Sequence, residues 1–376
     1  MTVSAQAGGA DGPLRAHVQL YDQARTAHLE RQLADPRLTL LYTAPRYDFD
    51  TDLAGRIDAR RTGTAAAARL IWRSRVEVLE ITEPAFLAGV VRAATCLATL
   101  RLRHLVLRRP VPRVVTYVIG NSDPRREYRP RSAREHATFR AKWWLSRAVA
   151  RTVDRLVFGT PEAEATYRSL YGPPRPGQEV RTVTALPMPC TCPEAAGEPG
   201  RVLFLGALVA RKGLPVLLDA WPAVAAALPS ATLTVVGTGP LEDAVRALAE
   251  ADERVRLVVD PPRDRIHAEL RAATVLVLPS QASPTWREQV GLPIVEALQH
   301  GCTVVTTDQT GLAPWLAEHA HRVVPTSDAP EPLGAAVLAA LRAPIPRAEV
   351  LASLPDRDGR EEAHAWLFAP TGSARD

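Results

Sequence analysis

Glu288 and Glu296 stand eight residues apart and bracket Gly291 in the run Glu288-Gln-Val-Gly-Leu-Pro-Ile-Val-Glu296, which follows Pro279-Ser280 and a polar loop. The run opens a helix, so Glu288 belongs to the loop before it and Glu296 to its early turns. On that placement the two carboxylates do not form an acid and base pair on one helix face. They suit polyol recognition instead, one accepting hydroxyls of a sugar and the other those of a ribose. The free amides at the helix N-terminus are then aimed at a phosphate between them. A Glu-x7-Glu spacing also recurs by chance, so its weight comes from its neighbours.

The first neighbour is Gly206-Ala-Leu-Val-Ala-Arg211-Lys212-Gly213, placed between an apolar strand candidate and an amphipathic helix. Two cations beside glycine, where backbone approaches closely, form a seat for a diphosphate. Lys212 and Lys142 are the only lysines among 46 basic residues. Taken alone, the Arg-Lys pair fits a surface turn equally well. The second neighbour is Val236-Gly237-Thr238-Gly239-Pro240-Leu241. It resembles a dinucleotide fingerprint, but Glu242 stands where the third glycine belongs, so it reads as a tight turn beside a nucleotide and not as a nicotinamide site.

The elements that position these loops repeat along the chain. Short β-branched runs at 201–205, 232–236, 255–259, 274–278, 303–306 and 322–324 alternate with amphipathic stretches, which is the pattern of βαβ units in a parallel sheet covered on both faces. The N-terminal half repeats it at 16–21, 38–43, 76–81, 113–119 and 155–158, with longer helical segments at 86–106 and 133–152. A chain of 376 residues exceeds one ordinary core. Pro/Gly-rich passages at 172–177 and 187–200 set the division near residue 195, giving an N-terminal domain over 1–195 and a C-terminal domain over 196–376. After Ala343 the rhythm fades, and 371–376 read as a frayed end.

With those elements in place, residues 201–325 resemble the donor-binding domain of family-4 glycosyltransferases. The Gly-x(n)-Lys-Gly loop, the Val-Gly-x-Gly-Pro turn, the Pro-Ser strand end and the Glu-x7-Glu helix occur in that family's order. The resemblance implies an α/β protein of the GT-B fold, two doubly wound Rossmann-like domains facing a central cleft, acting as a retaining, metal-independent glycosyltransferase. By the same resemblance Arg211 and Lys212 bind the diphosphate, and Glu288 with Val290, Gly291 and Leu292 holds the donor sugar and distal phosphate. Glu296 holds the ribose, and Gly206 and Gly237 line the donor pocket. The catalytic set is then Glu288, Lys212 and Arg211. No cofactor is implied beyond a nucleotide diphosphate sugar as substrate, and the acceptor is a small or lipid-linked molecule bound by the N-terminal domain. A same-fold phosphorylase or epimerase, and a non-catalytic partner subunit, are the competing readings. The sequence departs from the family at Ala207, where an arginine is frequent, and at Asp22-Gln-Ala-Arg25, where a glycine-rich loop is frequent; the segment 117–123 has no histidine.

Charge and composition bound the rest. Residues 1–195 hold 30 Lys+Arg against 19 Asp+Glu, a balance of +11, whereas 196–376 carry 16 against 22, a balance of −6. Residues 101–150 alone hold 13 basic and 3 acidic side chains. With Leu100-Arg-Leu-Arg-His-Leu-Val-Leu-Arg-Arg109 and Trp143-Trp144 in it, this segment suits an anionic membrane surface, or else a core helix with a charged outer face. It carries no nucleic-acid-binding motif, so no nucleic acid partner is expected. No apolar run is long enough to cross a bilayer and 1–13 lacks a signal-peptide pattern, which places the protein in a cytoplasm, with peripheral contact at the inner membrane face. High Arg, Ala and Pro use points to a GC-rich bacterial source. Asp48-Phe-Asp50-Thr-Asp52 reads as helix capping and not as a metal motif. Cys190 and Cys192 are expected to be reduced thiols without a metal, because tetrahedral coordination needs four ligands and no Cys/His partner pair lies near them in sequence.

Overall fold

The computed structural model of the chain describes residues 12–46, 49–192, 197–281, 283 and 286–370. Among them the chain divides into two compact units. The first comprises Met1–Gly159, Ala163–Val183 and Glu361–Asp376, and the second Thr160–Glu162 and Thr184–Arg360.

The first unit holds a seven-stranded sheet of β1 (His17–Ala24), β2 (Leu38–Pro45), β3 (Ala59–Arg61), β4 (Val78–Ile81), β5 (Arg113–Val118), β6 (Arg155–Phe158) and β7 (Glu179–Thr182). Their order is β3-β2-β1-β4-β5-β6-β7 and every pair is parallel. Successive residues bury opposite faces. Val114, Leu156 and Phe158 join a core with Val18, Leu79 and Leu97, whereas Val115 and Val157 join another with Leu38 and Val78. That two-sided burial is why these strands read as unbroken apolar runs.

The short edge strands β3 and β7 escape the sequence pattern. Ala-Arg-Arg and Glu-Val-Arg-Thr have no apolar run, and an edge strand need not have one, since only one side of it is paired.

The C-terminal end corrects two expectations. Past the point where the rhythm fades, helices form over Arg347–Ala352 and Gly359–Phe368. From Glu361 onward the chain packs with the first unit, not the second. Ala363, Leu367 and Phe368 complete the face of Leu38, Val78, Val115 and Val157. The guanidinium groups of Arg113 and Arg155 donate to the Ala369 carbonyl at 2.6 and 2.7 Å, and Arg155 lies 5.2 Å from the Trp366 ring centroid. The chain thus passes from the first unit to the second after Val183, ahead of the expected division at 195. Residues 371–376, read as a frayed end, lie outside the described residues.

The second unit holds a six-stranded parallel sheet of β8 (Arg201–Leu205), β9 (Thr232–Val236), β10 (Val255–Val258), β11 (Val275–Leu278), β12 (Thr303–Thr307) and β13 (Arg322–Val324), ordered β10-β9-β8-β11-β12-β13. The order reverses between β8 and β11. The connections leaving those two strands run to opposite sides of the sheet, to β9 and to β12, and ligands of doubly wound sheets bind at the carboxyl ends where this happens. The loop after β8 is the one with Arg211 and Lys212, and the loop after β11 is the one with Glu288. In the first unit the corresponding reversal lies between β1 and β4.

Among the described residues no helix is long and apolar enough to cross a membrane. The basic segment is helical over Val90–Leu107 and Ala133–Ala150. Part of it is buried and part exposed. Leu100 and Arg103 are buried, the latter donating to the carbonyls of Ile71 and Ser74, so Arg103 is no part of a surface charge patch. Leu102, Leu105, Val106 and Trp144 are exposed.

Candidate functional site

Arg211 and Lys212 lie in a single 3-10 turn, Ala210–Lys212, closed by Gly213 at φ 73°. Glycine is required there. A Cβ on Gly213 would lie 1.9 Å from the Pro279 carbonyl oxygen, because the turn is pressed against the end of β11. The Gln281 N–H donates to the Arg211 carbonyl at 2.9 Å across the same junction. The two switch-point loops are therefore joined backbone to backbone.

That junction brings Lys212 to Glu288. Their side chains form an ion pair through Nζ and Oε2, and Ser280 Oγ donates to the same carboxylate oxygen at 3.0 Å. Both partners are nearly buried, with side-chain exposures of 12% for Lys212 and 10% for Glu288. Above them, Arg211 and Lys212 both face the Trp286 ring, at 4.4 and 5.3 Å from its centroid. A cation over an indole face is held by the ring quadrupole. Trp286 was missed by the motif reading, and the only signal for it was an aromatic residue in an otherwise polar loop.

Threonines at the end of β12 and just beyond it fix the Glu288 loop. Thr307 Oγ1 donates to the Ser280 carbonyl, Thr310 Oγ1 to the Val290 carbonyl at 2.7 Å, and the Gly311 N–H to the Gln289 carbonyl at 2.9 Å. Gly291, at φ 81°, then caps the helix Leu292–Gln299. The first amides of a helix have no acceptor inside it, so those of Gly291 and Leu292 stand at its positive end, three residues past Glu288. Leu292 itself is exposed, whereas Val290 is buried and its carbonyl is the one Thr310 donates to. Gly206 faces this helix start, since a Cβ there would meet Pro293 at 3.8 Å. Gly237 supports Gly206 from behind, and its own Cβ would fall 1.8 Å from the Gly206 carbonyl oxygen.

Glu296 has a different partner. Arg263 Nη1 lies 3.8 Å from its carboxylate, and burial pushes the Glu296 carboxyl up from its ordinary value against the pull of that arginine. Arg263 is a second residue the motifs did not signal. In the β9 turn, Glu242 accepts the Gly239 N–H at 3.1 Å, so the turn's own carboxylate occupies the place an anion would take in a dinucleotide fingerprint. Asp48 of the Asp-x-Asp run lies outside the described residues, while Asp50 caps the helix Thr51–Gly55 by accepting the Leu53 N–H at 2.8 Å.

The site so built offers two clamped cations, a helix-end pair of amides and two carboxylates with separate partners, all on the second sheet. Residues 199–343, which enclose it, match the family described as Glycosyl transferases group 1. The amylovoran biosynthesis glycosyltransferase AmsK of Erwinia amylovora is 31% identical over 130 residues, 34% of this chain. The matched stretch spans about a third of that relative's length, 32%. Among solved structures, Anabaena Alr3699/HepE in complex with UDP superposes with a TM-score of 0.62 at 13% identity, over 94% of this chain and 95% of that one. WaaG, a glycosyltransferase involved in lipopolysaccharide biosynthesis, does so with a TM-score of 0.60 at 15% identity, over 94% and 100%. Residues 199–343 thus resemble the Glycosyl transferases group 1 family, within a chain that shares the GT-B fold of these solved structures.

Proposed function

We propose that the protein is a retaining glycosyltransferase that takes its sugar from a nucleoside diphosphate sugar held by the second unit, without a metal ion at the diphosphate. The single observation behind this reading is the Lys212–Glu288–Ser280 cluster at the switch point, with Arg211 beside it. Glu288 pairs with the ammonium group that a distal phosphate would take. A bound donor exchanges that partner for its own phosphate and leaves the Glu288 carboxylate to accept hydroxyls of the sugar. As the glycosidic bond breaks, charge accumulates on the leaving diphosphate. Lys212, Arg211 and the amides of Gly291 and Leu292 stabilise that charge more than the ground state, which lowers the barrier. Glu296 takes the ribose hydroxyls. The bound UDP of the HepE structure supports a nucleoside diphosphate as the ligand class.

The acceptor falls to the first unit. At its own switch point Asp22, at the carboxyl end of β1, lies against Gly89, and burial raises its carboxyl above the ordinary value while Arg92 opposes the rise. A carboxyl poised in that way is suited to an acceptor hydroxyl.

The deciding test is thermal shift followed by transfer, using UDP, GDP, ADP and their sugar conjugates. A ligand at 100 times its Kd adds about 2.7 kcal/mol, which raises Tm by roughly 5 to 10 °C for a domain of this size. The shift is expected to persist when Mg2+ and Mn2+ are omitted. A panel without any shift sinks the proposal, whereas binding without transfer points to a non-catalytic subunit. Loss of the shift on omitting divalent ions removes the metal-independent part.

The exposed Leu102, Leu105 and Val106 on one helix and Trp144 on another, in a segment of 13 basic and 3 acidic residues, support peripheral contact with anionic lipid. Vesicles containing phosphatidylglycerol are expected to float the protein at low salt, and Leu105→Glu with Val106→Glu to abolish flotation. No flotation of the parent protein removes this contact.

A further inference from the structure

Cys190 and Cys192, set aside in the sequence for want of partners, acquire two in the fold. His267 arrives on the helix Arg263–Ala272, and His300 caps the helix Leu292–Gln299. Backbone pairing brings the cysteines there, for the Cys190 N–H donates to the Gln299 carbonyl at 2.9 Å. One ligand-type atom from each of the four side chains lies within 4.8 Å of the other three. The geometry points to a structural, thiophilic metal site of the zinc type, with Cys190, Cys192, His267 and His300 as its four ligands.

The spacings around His267 Nδ1 are close to those of a coordination tetrahedron. Zn–S bonds of about 2.3 Å and Zn–N bonds of about 2.05 Å place sulfur and nitrogen ligands about 3.6 Å apart and two nitrogens about 3.4 Å apart. Cys192 Sγ lies 3.6 Å from His267 Nδ1, Cys190 Sγ 4.0 Å from it, and His267 Nδ1 3.1 Å from His300 Nε2. The two sulfurs, 2.7 Å apart, must open by about 1 Å to reach the S–S edge of the same tetrahedron.

The hydrogen bonding of His300 is also that of a metal ligand. His300 Nδ1 lies 2.7 Å from the Glu296 carbonyl, and a carbonyl only accepts, so Nδ1 carries the proton and the Nε2 lone pair faces the cluster. An imidazole whose far nitrogen donates to a backbone carbonyl is the usual outer support of a metal-bound histidine.

Binding then balances simply. Zn2+ replaces the two thiol protons, which leave to solvent, and His267 moves its remaining proton from Nδ1 to Nε2. Two thiolates cancel the ion's charge, so the nearby arginines face a neutral centre.

Four protein ligands close the shell, which makes the site structural and leaves no open position for chemistry. The eight-residue helix Leu292–Gln299 separates it from Gly291 by about 12 Å, too far to touch a donor bound at the other end. Its effect is to pin residues 190–192 and two helices together at the carboxyl end of the helix whose amino end presents Gly291 and Leu292.

The test uses the full chain, purified under TCEP without chelator and reconstituted with zinc or cobalt. Elemental analysis is expected to find one zinc per chain, and the cobalt form a thiolate-to-metal charge-transfer band. Cys190→Ser with Cys192→Ser should remove both, and His267→Gln should weaken retention. Chelation should lower the Tm of the parent protein and leave the double variant unchanged. A parent chain that takes up neither metal while both thiols react freely overturns the proposal, whether or not any variant folds. Because the readout is metal content, this result is independent of donor binding.

Discussion

Lys212→Met is expected to lower the transfer rate by about 100- to 1000-fold, the loss that follows removal of one group stabilising transition-state charge. Because in the proposed reaction that interaction is stronger with the departing diphosphate than with the bound donor, kcat should fall more than KM rises. The same substitution has a second effect, on stability. It leaves the Glu288 carboxylate nearly buried without its ammonium partner, while Ser280 still donates to it. Breaking a buried pair from one side costs about 3 to 5 kcal/mol, because the surviving charge is desolvated without compensation. Glu288→Gln in the same chain removes that charge while keeping the shape, so the double variant should regain most of the stability and none of the activity. Urea denaturation of the single and double variants, run beside initial rates with the donor found by thermal shift, separates the two effects. Equal activity in Lys212→Met and the parent would contradict the role given to the ammonium group. Equal stability of the single and double variants would contradict the buried pair.

Gly213→Ala is expected to destabilise the second unit by more than about 3 kcal/mol, combining a left-handed backbone that costs alanine about 1 kcal/mol with a clash that only main-chain movement relieves. The added Cβ would sit 1.9 Å from the Pro279 oxygen and 2.6 Å from its carbonyl carbon, and no rotamer change moves either atom. Where the fold survives, the turn must lift away from β11. Arg211 then loses the Gln281 N–H, and Lys212 its approach to Glu288. Donor affinity should therefore fall together with stability. Gly55→Ala is the control, since nothing lies within 4 Å of that Cβ, and a change within about 0.5 kcal/mol is expected there. Denaturation midpoints that agree for the two variants would show that the close approach of the loops has no energetic weight.

The sequence by itself determined whatever local pattern encodes. The runs Arg201–Leu205, Thr232–Val236 and Arg155–Phe158 are strands at their expected bounds, because burial on both faces demands uninterrupted apolar residues. The glycine beside Arg211 and Lys212 likewise marked a close approach of backbone, and at Gly213 a Cβ would lie 1.9 Å from the Pro279 carbonyl oxygen. Tertiary structure decided what depends on partners distant in the chain. It paired Lys212 with Glu288, set Trp286 under both cations, gave Glu296 to Arg263, returned Ala363 to Phe368 to the first sheet, and gathered His267 and His300 around Cys190 and Cys192. None of these has a period or a spacing. Each follows from a strand order that reverses between β8 and β11 or from a helix that docks across a sheet, and strand order is settled by packing the whole chain at once.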